Sequence, residues 1–288
     1  MTSTLGHEQD TLRELGQQVA EIASDPVQET LKSLWRRHNG LQPERPMVMI
    51  DQIPWHEMGV DGELTLVCED PLLRQIETGL RRLLYKWRHL RHDLVIEPVL
   101  EVSKVIRGLD FGLSVEEERS VLDPHNDVVG HRYIDQIATE EDIAKIRLGD
   151  VQLDVEETDR RQALAEEIFA GVLEVRMQGA LPVFAAWDRL VTLRSPEGVL
   201  LDIIDRPDFT HKLMDHFTNV NLAQLDILED KGLLGHSQNT IHCTGANTDE
   251  LPAEGFDADH PRAKDLWTFG MAQIFSLCID RETVEQVC

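Results

Sequence analysis

The chain has 288 residues and 41% hydrophobic content, enough for a substantial core in one large α/β domain or two smaller ones. Its 28 basic against 53 acidic residues, a formal net charge of -25 and a pI near 4.7 argue against a nucleic-acid partner and against an anionic membrane surface. No apolar run approaches the ~18 residues of a membrane span, Met1 to Asp10 lack an apolar signal core, and four scattered cysteines (Cys68, Cys243, Cys278, Cys288) show no Cys-x-x-Cys spacing. Reduced thiols in a cytoplasmic protein are the expectation.

Leu12, Leu15, Val19 and Ile22 recur at helical spacing, Asp25-Pro26 breaks the pattern, and Thr30 to His38 resumes it until Asn39-Gly40. Residues 1–40 are thus expected to form a helical N-terminal arm. Met47 to Asp51 is a short apolar run suited to a strand buried on both faces. It breaks at Pro54 into Trp55, His56 and Glu57, polar or amphipathic groups at what would be the strand's carboxyl end. Val60 to Cys68 reads as a hairpin-like excursion around Asp61-Gly62. Asp70-Pro71 starts a strong helix to about His89, with Asp70 as N-cap. Its Arg74, Arg81, Arg82, Lys86 and Arg88 form a basic stripe that reads as a solvated face.

Asp93 to Leu100 is a second apolar strand, containing Glu97. Residues 102–150 are irregular, with Asp123-Pro-His-Asn126 and His131 as loop features. Thr158 to Phe169 reads as a helix and Gly171 to Arg176 as a third strand. Trp187 to Leu193 is helical, Ser195-Pro196 caps the next helix to Ile204, and Pro207 opens a long one ending at Gly232 or Gly235. Ser237 to Cys243 reads as a fourth strand, Arg262 to Phe269 as a helix, Met271 to Phe275 as a fifth strand, and Asp280 to Val287 as the start of another helix. Strands alternating with helices of crossover length predict an α/β fold with a parallel sheet, in the proportions of a (β/α) barrel. No Gly-x-Gly-x-x-Gly follows a strand and no phosphate-binding Gly-Lys-Ser/Thr occurs, which lowers the nucleotide-binding readings.

In a barrel, Asp51 with Trp55 and His56, Glu97, Arg176, and His242 with Cys243 would converge on one mouth. Asp51 and Glu97 have the chemistry to bind a metal, take a proton or pair with Arg176. Imidazole and thiolate both suit zinc, so His242 and Cys243 are the best metal-ligand types here. They are adjacent, however, and neighbours on a strand point to opposite faces. No Gly-x-Ser-x-Gly is present to suggest a serine nucleophile.

Arg45-Pro-Met-Val-Met-Ile-Asp-Gln-Ile-Pro-Trp-His56, Val95-Ile-Glu-Pro98, Leu200-Leu-Asp-Ile-Ile-Asp-Arg-Pro207, Ile241-His-Cys-Thr-Gly245 and Ala263 to Phe275 form a distinctive set when taken together. Over about residues 30–276 the chain resembles the uroporphyrinogen decarboxylase superfamily, in particular its divergent members near the cobalamin-dependent methyltransferases. The resemblance implies a TIM (β/α)8-type barrel from residue 41 onward, whose mouth takes a tetrapyrrole-related ligand or a methyl carrier. The decarboxylase branch carries an arginine-rich motif after the first strand, where this chain has Asp51-Gln-Ile-Pro-Trp-His56. The methyltransferase branch uses zinc, held by a His-x-Cys pattern and a later Cys, to keep a thiolate nucleophilic. Here His242 and Cys243 stand closest to that pattern, without the spacer.

At the mouth of such a barrel, Asp51, His56, Glu97 and Arg176 are the expected catalytic residues, Trp55 the expected cofactor contact, and His242 and Cys243 the expected zinc ligands. The expected function is methyl transfer involving a corrinoid, as a small molecule or on a partner protein. A porphyrinogen decarboxylase and an inactive fragment or binding partner are the alternatives. After Ser276 the sequence departs from the family's, with about five expected strands where eight are needed. Either a truncated or frameshifted product, or a second chain covering the gap as in a homo-oligomer, would account for that.

Overall fold

The computed structural model describes residues 2–59, 61–122, 129–236, 239–268 and 270–271. Its longer helices lie where local signals place them. α1 (Thr2–Ala23) and α2 (Val27–Asn39) are separated by Asp25-Pro26, and the short α3 (Trp55–Met58) follows Pro54. α4 (Pro71–His89) starts with the Asp70 carboxylate accepting from the N–H groups of Leu72 and Leu73. Then come β1 (Val99–Ser103), β2 (Ile106–Arg107), the antiparallel β3 (Glu117–Ser120) and β4 (Gly130–Tyr133), β5 (Gln152–Leu153), α5 (Val155–Phe169) and β6 (Glu174–Gln178). β7 (Phe184–Ala185), α6 (Ala186–Arg194), α7 (Pro196–Asp205), α8 (Pro207–Asp230), β8 (Thr240–Ile241), β9 (Thr244–Gly245) and β10 (Gly270–Met271) complete the order. The fold is mixed α/β. Among the described residues no helix is long and apolar enough to cross a membrane.

The chain forms two compact units. The first comprises Met1–Val105, Leu153–Ala180 and Leu234–Trp267; the second comprises Ile106–Gln152, Leu181–Leu233 and the described residues from Thr268. In the first unit, Leu12, Leu15 and Val19 of α1 pack with Leu73, Ile76, Leu80 and Leu84 of α4, Leu100 and Val102 of β1, and Ala165 and Phe169 of α5. Each fully buried Leu or Phe contributes about 1.5–3 kcal/mol relative to an exposed one. β1 and β6 pair in parallel, with Glu101 opposite Arg176 and Ser103 opposite Gln178, and α5 lies between them in sequence. Leu100 and Val102 face the helices, so the alternate residues Val99, Glu101 and Ser103 face away from that core.

Two further extended segments flank this pair. Asp93 N–H donates to Val48 O at 2.8 Å, and Ala180 bridges in parallel to Leu234, with Gly235 N–H donating to Ala180 O at 2.8 Å. Met47–Asp51 and Asp93–Pro98, expected as strands, are extended but carry no regular ladder. Side chains take the place of a neighbouring strand there. Val48 N–H donates to Asp93 Oδ2, Ile50 N–H to His92 Nδ1, and Ile96 N–H to the buried Gln28 Oε1, at 2.8, 3.0 and 2.8 Å. Pro46 and Pro54 supply no donor at all. Arg45 then clamps Asp93 with two hydrogen bonds of 2.8 and 2.6 Å, fixing one segment against the next.

Three other expectations are corrected. The excursion to Cys68 is no surface hairpin: residues 61–64 turn, and Cys68 is fully buried in the core. The fourth strand is a two-residue hairpin, β8–β9, with His242 and Cys243 as its turn. The helix expected over residues 262–269 is a single 3-10 turn, Ala263–Asp265. Most of the expected fifth strand (beyond Met271), the terminal helix from Asp280, and the Asp123–Asn126 loop lie outside the described residues. In the second unit, Trp187, Leu190 and Leu193 of α6, Val199 and Ile203 of α7, and Phe209, Leu213 and Phe217 of α8 form the core with Ile137, Ile143 and Ile146. Asp202 is buried there and accepts from Arg194 and Arg206.

Candidate functional site

The first unit opens a cleft of about 410 Å³ beside β1 and β6, at the small end of the range for small-molecule sites. Its apolar wall is Leu94 to Ile96, and its polar lining is Asp51, Lys86, Glu97, Glu101, Arg176 and Asn239. These six come from five places in the chain. Each of the extended segments contributes at its polar end or face, and the last turn of α4 supplies Lys86.

Glu97 is the best-anchored group. Its carboxylate accepts from Lys32 Nζ at 2.9 Å and from Asn239 Nδ2 at 2.8 Å. Burial pushes its pKa up, but those two hydrogen bonds outweigh burial and hold it below the usual carboxylate range. Burial likewise opposes the charge on Lys32, and its bonds to Glu97 and Glu29 overcome that and keep it protonated. Glu101 stands differently. Water reaches its side chain along the open side of the cleft, yet the crowding walls raise its pKa against the pull of Arg176. Lys86 is half-buried, and burial lowers its pKa although Asp51 favours the charged form. Two carboxylates in one cleft thus have pKa values displaced in opposite directions, the arrangement by which enzymes separate charge-holding from proton-transferring roles.

The sequence-derived residues divide into those the fold brings together and those it does not. Asp51, Glu97 and Arg176 line the cleft. Cys243 Sγ reaches Asp51 Oδ2 at 3.8 Å, because the β8–β9 turn holds both His242 and Cys243 at positive φ, 23° and 60°. That conformation is costly for residues other than glycine. Trp55 and His56 sit in α3 and are not among the residues lining the cleft. Trp55 packs edge-on to Tyr85 with Arg82 above its ring at 4.9 Å, and His56 lies 3.5 Å from Glu57. Among the described residues no three of His, Cys, Asp and Glu gather as ligands of one metal ion. Cys243 and Asp51 meet, which supplies two donors where a zinc site takes three or four.

Sequence reading passed over Glu101, Lys86, Asn239 and His92. Glu101 was detectable in the alternation Leu100-Glu101-Val102, a polar residue between two that face the core. Lys86 belongs by position to the basic stripe of α4. That stripe is not merely solvated: Arg74 donates to Cys68 O, Arg81 to Glu77 and Glu63 O, and Arg88 to Glu63. His92 accepts from Ile50 N–H through Nδ1, which leaves its proton on Nε2, a buried atom with no partner among the described residues. Burial, then the charge of Lys86, lowers its pKa and keeps the ring neutral.

Glu101 has a testable consequence for stability. Its folded pKa lies above the unfolded value, so its ionised form costs stability at neutral pH; the cost fades as pH falls through the folded value and is gone below the unfolded one, about 4.3. Glu101→Gln is therefore expected to raise the melting temperature at pH 7 and to leave it unchanged near pH 3. An equal gain at both pH values would show that the charge of Glu101 is irrelevant.

No protein-family model matches this chain, and no curated protein or solved structure matches it either.

Proposed function

We propose that the chain is an enzyme on a (β/α)8-type framework akin to the uroporphyrinogen decarboxylase superfamily, and that the cleft of the first unit is its active site. The supporting observation is the order of the extended segments. Residues 48, 93–103, 174–180 and 234 lie side by side in the order in which they occur in the chain. A barrel builds its wall in sequence order, whereas a doubly wound sheet reverses direction at its switch point. Such a wall would turn one face of each strand inward, and Glu101 and Arg176 share one face of the β1–β6 pair as register partners.

The reaction favoured is methyl transfer from a corrinoid substrate to a small thiol. The acceptor's sulfur forms a bond to the methyl carbon as the carbon–cobalt bond breaks, and cobalt keeps both electrons of that bond. The thiol proton passes to a carboxylate of the cleft. Glu101, with its raised pKa, suits that task better than Glu97, which Lys32 and Asn239 hold ionised. Arg176 and Lys86 supply positive charge for the acceptor's anionic group. Decarboxylation of a porphyrinogen also needs cations for substrate carboxylates, and these two would serve. Asp51, Glu97 and Glu101 in the same cleft oppose so polyanionic a ligand.

The test follows loss of the cobalt–carbon absorbance of methylcobalamin with a panel of small thiols, beside carbon dioxide release from uroporphyrinogen. Arg176→Met is expected to weaken acceptor binding by about 2–5 kcal/mol. Turnover of uroporphyrinogen alone would replace methyl transfer with decarboxylation. Turnover of neither, by a folded chain, would refute both.

A further inference from the structure

The chain has seven lysines. The ammonium groups of Lys32, Lys145 and Lys212 are held by carboxylates, and that of Lys231 donates to Val151 O at 2.6 Å. Lys86 is the lysine that lines the cleft, and its Nζ has no hydrogen bond or ion pair among the described residues. It shares the cleft with Arg176, whose Nη2 donates to the exposed Glu174 at 3.1 Å and which is the type of residue that receives a carboxylate by two parallel hydrogen bonds. It also shares it with three carboxylates, of which Glu97 is already engaged.

We propose that Lys86 is an imine-forming lysine and that the cleft takes small oxo acids, the side-chain nitrogen bonding to the carbonyl carbon while Arg176 holds the carboxylate. The step balances without an oxidant or reductant. The nitrogen lone pair forms the new bond to carbon, and the carbonyl oxygen leaves as water. One hydrogen of that water comes from the amine and the other from an acid of the cleft, for which Glu101 is placed. An iminium ion remains, and hydrolysis returns the ligand unchanged.

Burial favours the unprotonated amine that the step needs. The charged and titratable groups around Lys86 include Asp51, which opposes deprotonation, and His92, kept neutral partly by the charge of Lys86 itself. Glu97, Glu101 and Arg176 line the same space. The inference does not depend on methyl transfer: imine formation needs neither a corrinoid nor a thiol.

The experiment treats the full chain at neutral pH with glyoxylate or formaldehyde, each with sodium cyanoborohydride, and maps the reduced adducts by peptide mass. Formaldehyde reads amine reactivity alone, and glyoxylate adds the requirement for a carboxylate site. Lys86 is expected to carry several-fold more glyoxylate adduct than any other lysine, and Arg176→Met to remove that preference while formaldehyde labelling persists. Glyoxylate adducts spread over the seven lysines according to exposure would overturn the proposal. So would a Lys86 preference seen with formaldehyde only. Mapping the unaltered chain keeps the test valid even where Lys86→Met or Arg176→Met fails to fold.

Discussion

Glu77→Ala is expected to destabilise the first unit by about 3–5 kcal/mol, the cost of stripping one partner from a buried charged network. Glu77 is 0% exposed and sits mid-helix in α4. One carboxylate oxygen accepts from Arg81 Nε at 2.8 Å and Val67 N–H at 3.0 Å; the other accepts from Val67 and Cys68 N–H at 2.9 and 2.8 Å. Alanine would leave two amides and a guanidinium facing an empty space. Burial pushes the Glu77 pKa up, but the Cys68 amide, Arg81 and the Val67 amide outweigh it, so the folded pKa lies below the unfolded one. The stabilisation is therefore complete above the unfolded value of about 4.3 and disappears as pH falls through the folded value. Denaturant unfolding at pH 7 and near pH 3 measures both: a large difference from the unaltered chain at pH 7 and a smaller one in acid. Cys68 gives a local readout. Burial, aided by Glu77, pushes its thiol up to about 12, so it is inert to thiol reagents in the folded chain. Loss of Glu77 should open it to labelling. Unchanged unfolding and labelling would mean that the Val67 and Cys68 amides find other acceptors.

Gly245→Ala should damage both stability and the cleft. A Cβ on Gly245 would lie 2.3 Å from Trp35 Cε2 and 2.4 Å from Cδ2. Trp35 cannot give way easily: it is 3% exposed, and its Nε1 donates to Asp93 O at 2.6 Å. The glycine is held from the other side, since Asn39 Nδ2 donates to Gly245 O at 3.1 Å. Overpacking of this kind costs about 1–3 kcal/mol, and the β8–β9 hairpin is the part that must move. It carries Cys243, and the residue before it, Asn239, bonds Glu97. The expected result is a lowered melting temperature together with loss of the Lys86 preference for glyoxylate. Trp35→Leu on top of Gly245→Ala should recover part of both by making room. A Gly245→Ala chain with native stability and native labelling would mean that the hairpin has no part in shaping the cleft.

Helices were legible in the sequence because their signals are local. Pro26 between α1 and α2, Asp70-Pro71 before α4 and Ser195-Pro196 before α7 each act within one turn of the chain they punctuate. Strands were legible only in part, because a strand is defined by its partner: the runs at Asp93–Leu100 and Gly171–Arg176 overlap β1 and β6, with their ends displaced. Met47–Asp51 and Asp93–Pro98 are extended and apolar as read, but His92, Asp93 and Gln28 occupy the hydrogen-bonding groups that a ladder would use. The strand ending at Cys243 reads plausibly by composition, yet the chain reverses at His242-Cys243, where few residues tolerate the backbone.

By itself the sequence determined most of the long helices, α4, α7 and α8 with their starts among them, the acidic composition, and the polar groups Asp51, Glu97 and Arg176 at the edges of apolar runs. Tertiary structure alone decided which of these meet. It set Trp55 and His56 outside the lining of the cleft, brought Cys243 to Asp51 across 192 positions, and joined Asn239 to Glu97 across 142. It also turned Lys86 from a basic helix face into that cleft and buried Cys68. The physical reason is that periodicity and capping report the forces on neighbouring residues, whereas desolvation and charge pairing depend on segments that only folding places side by side.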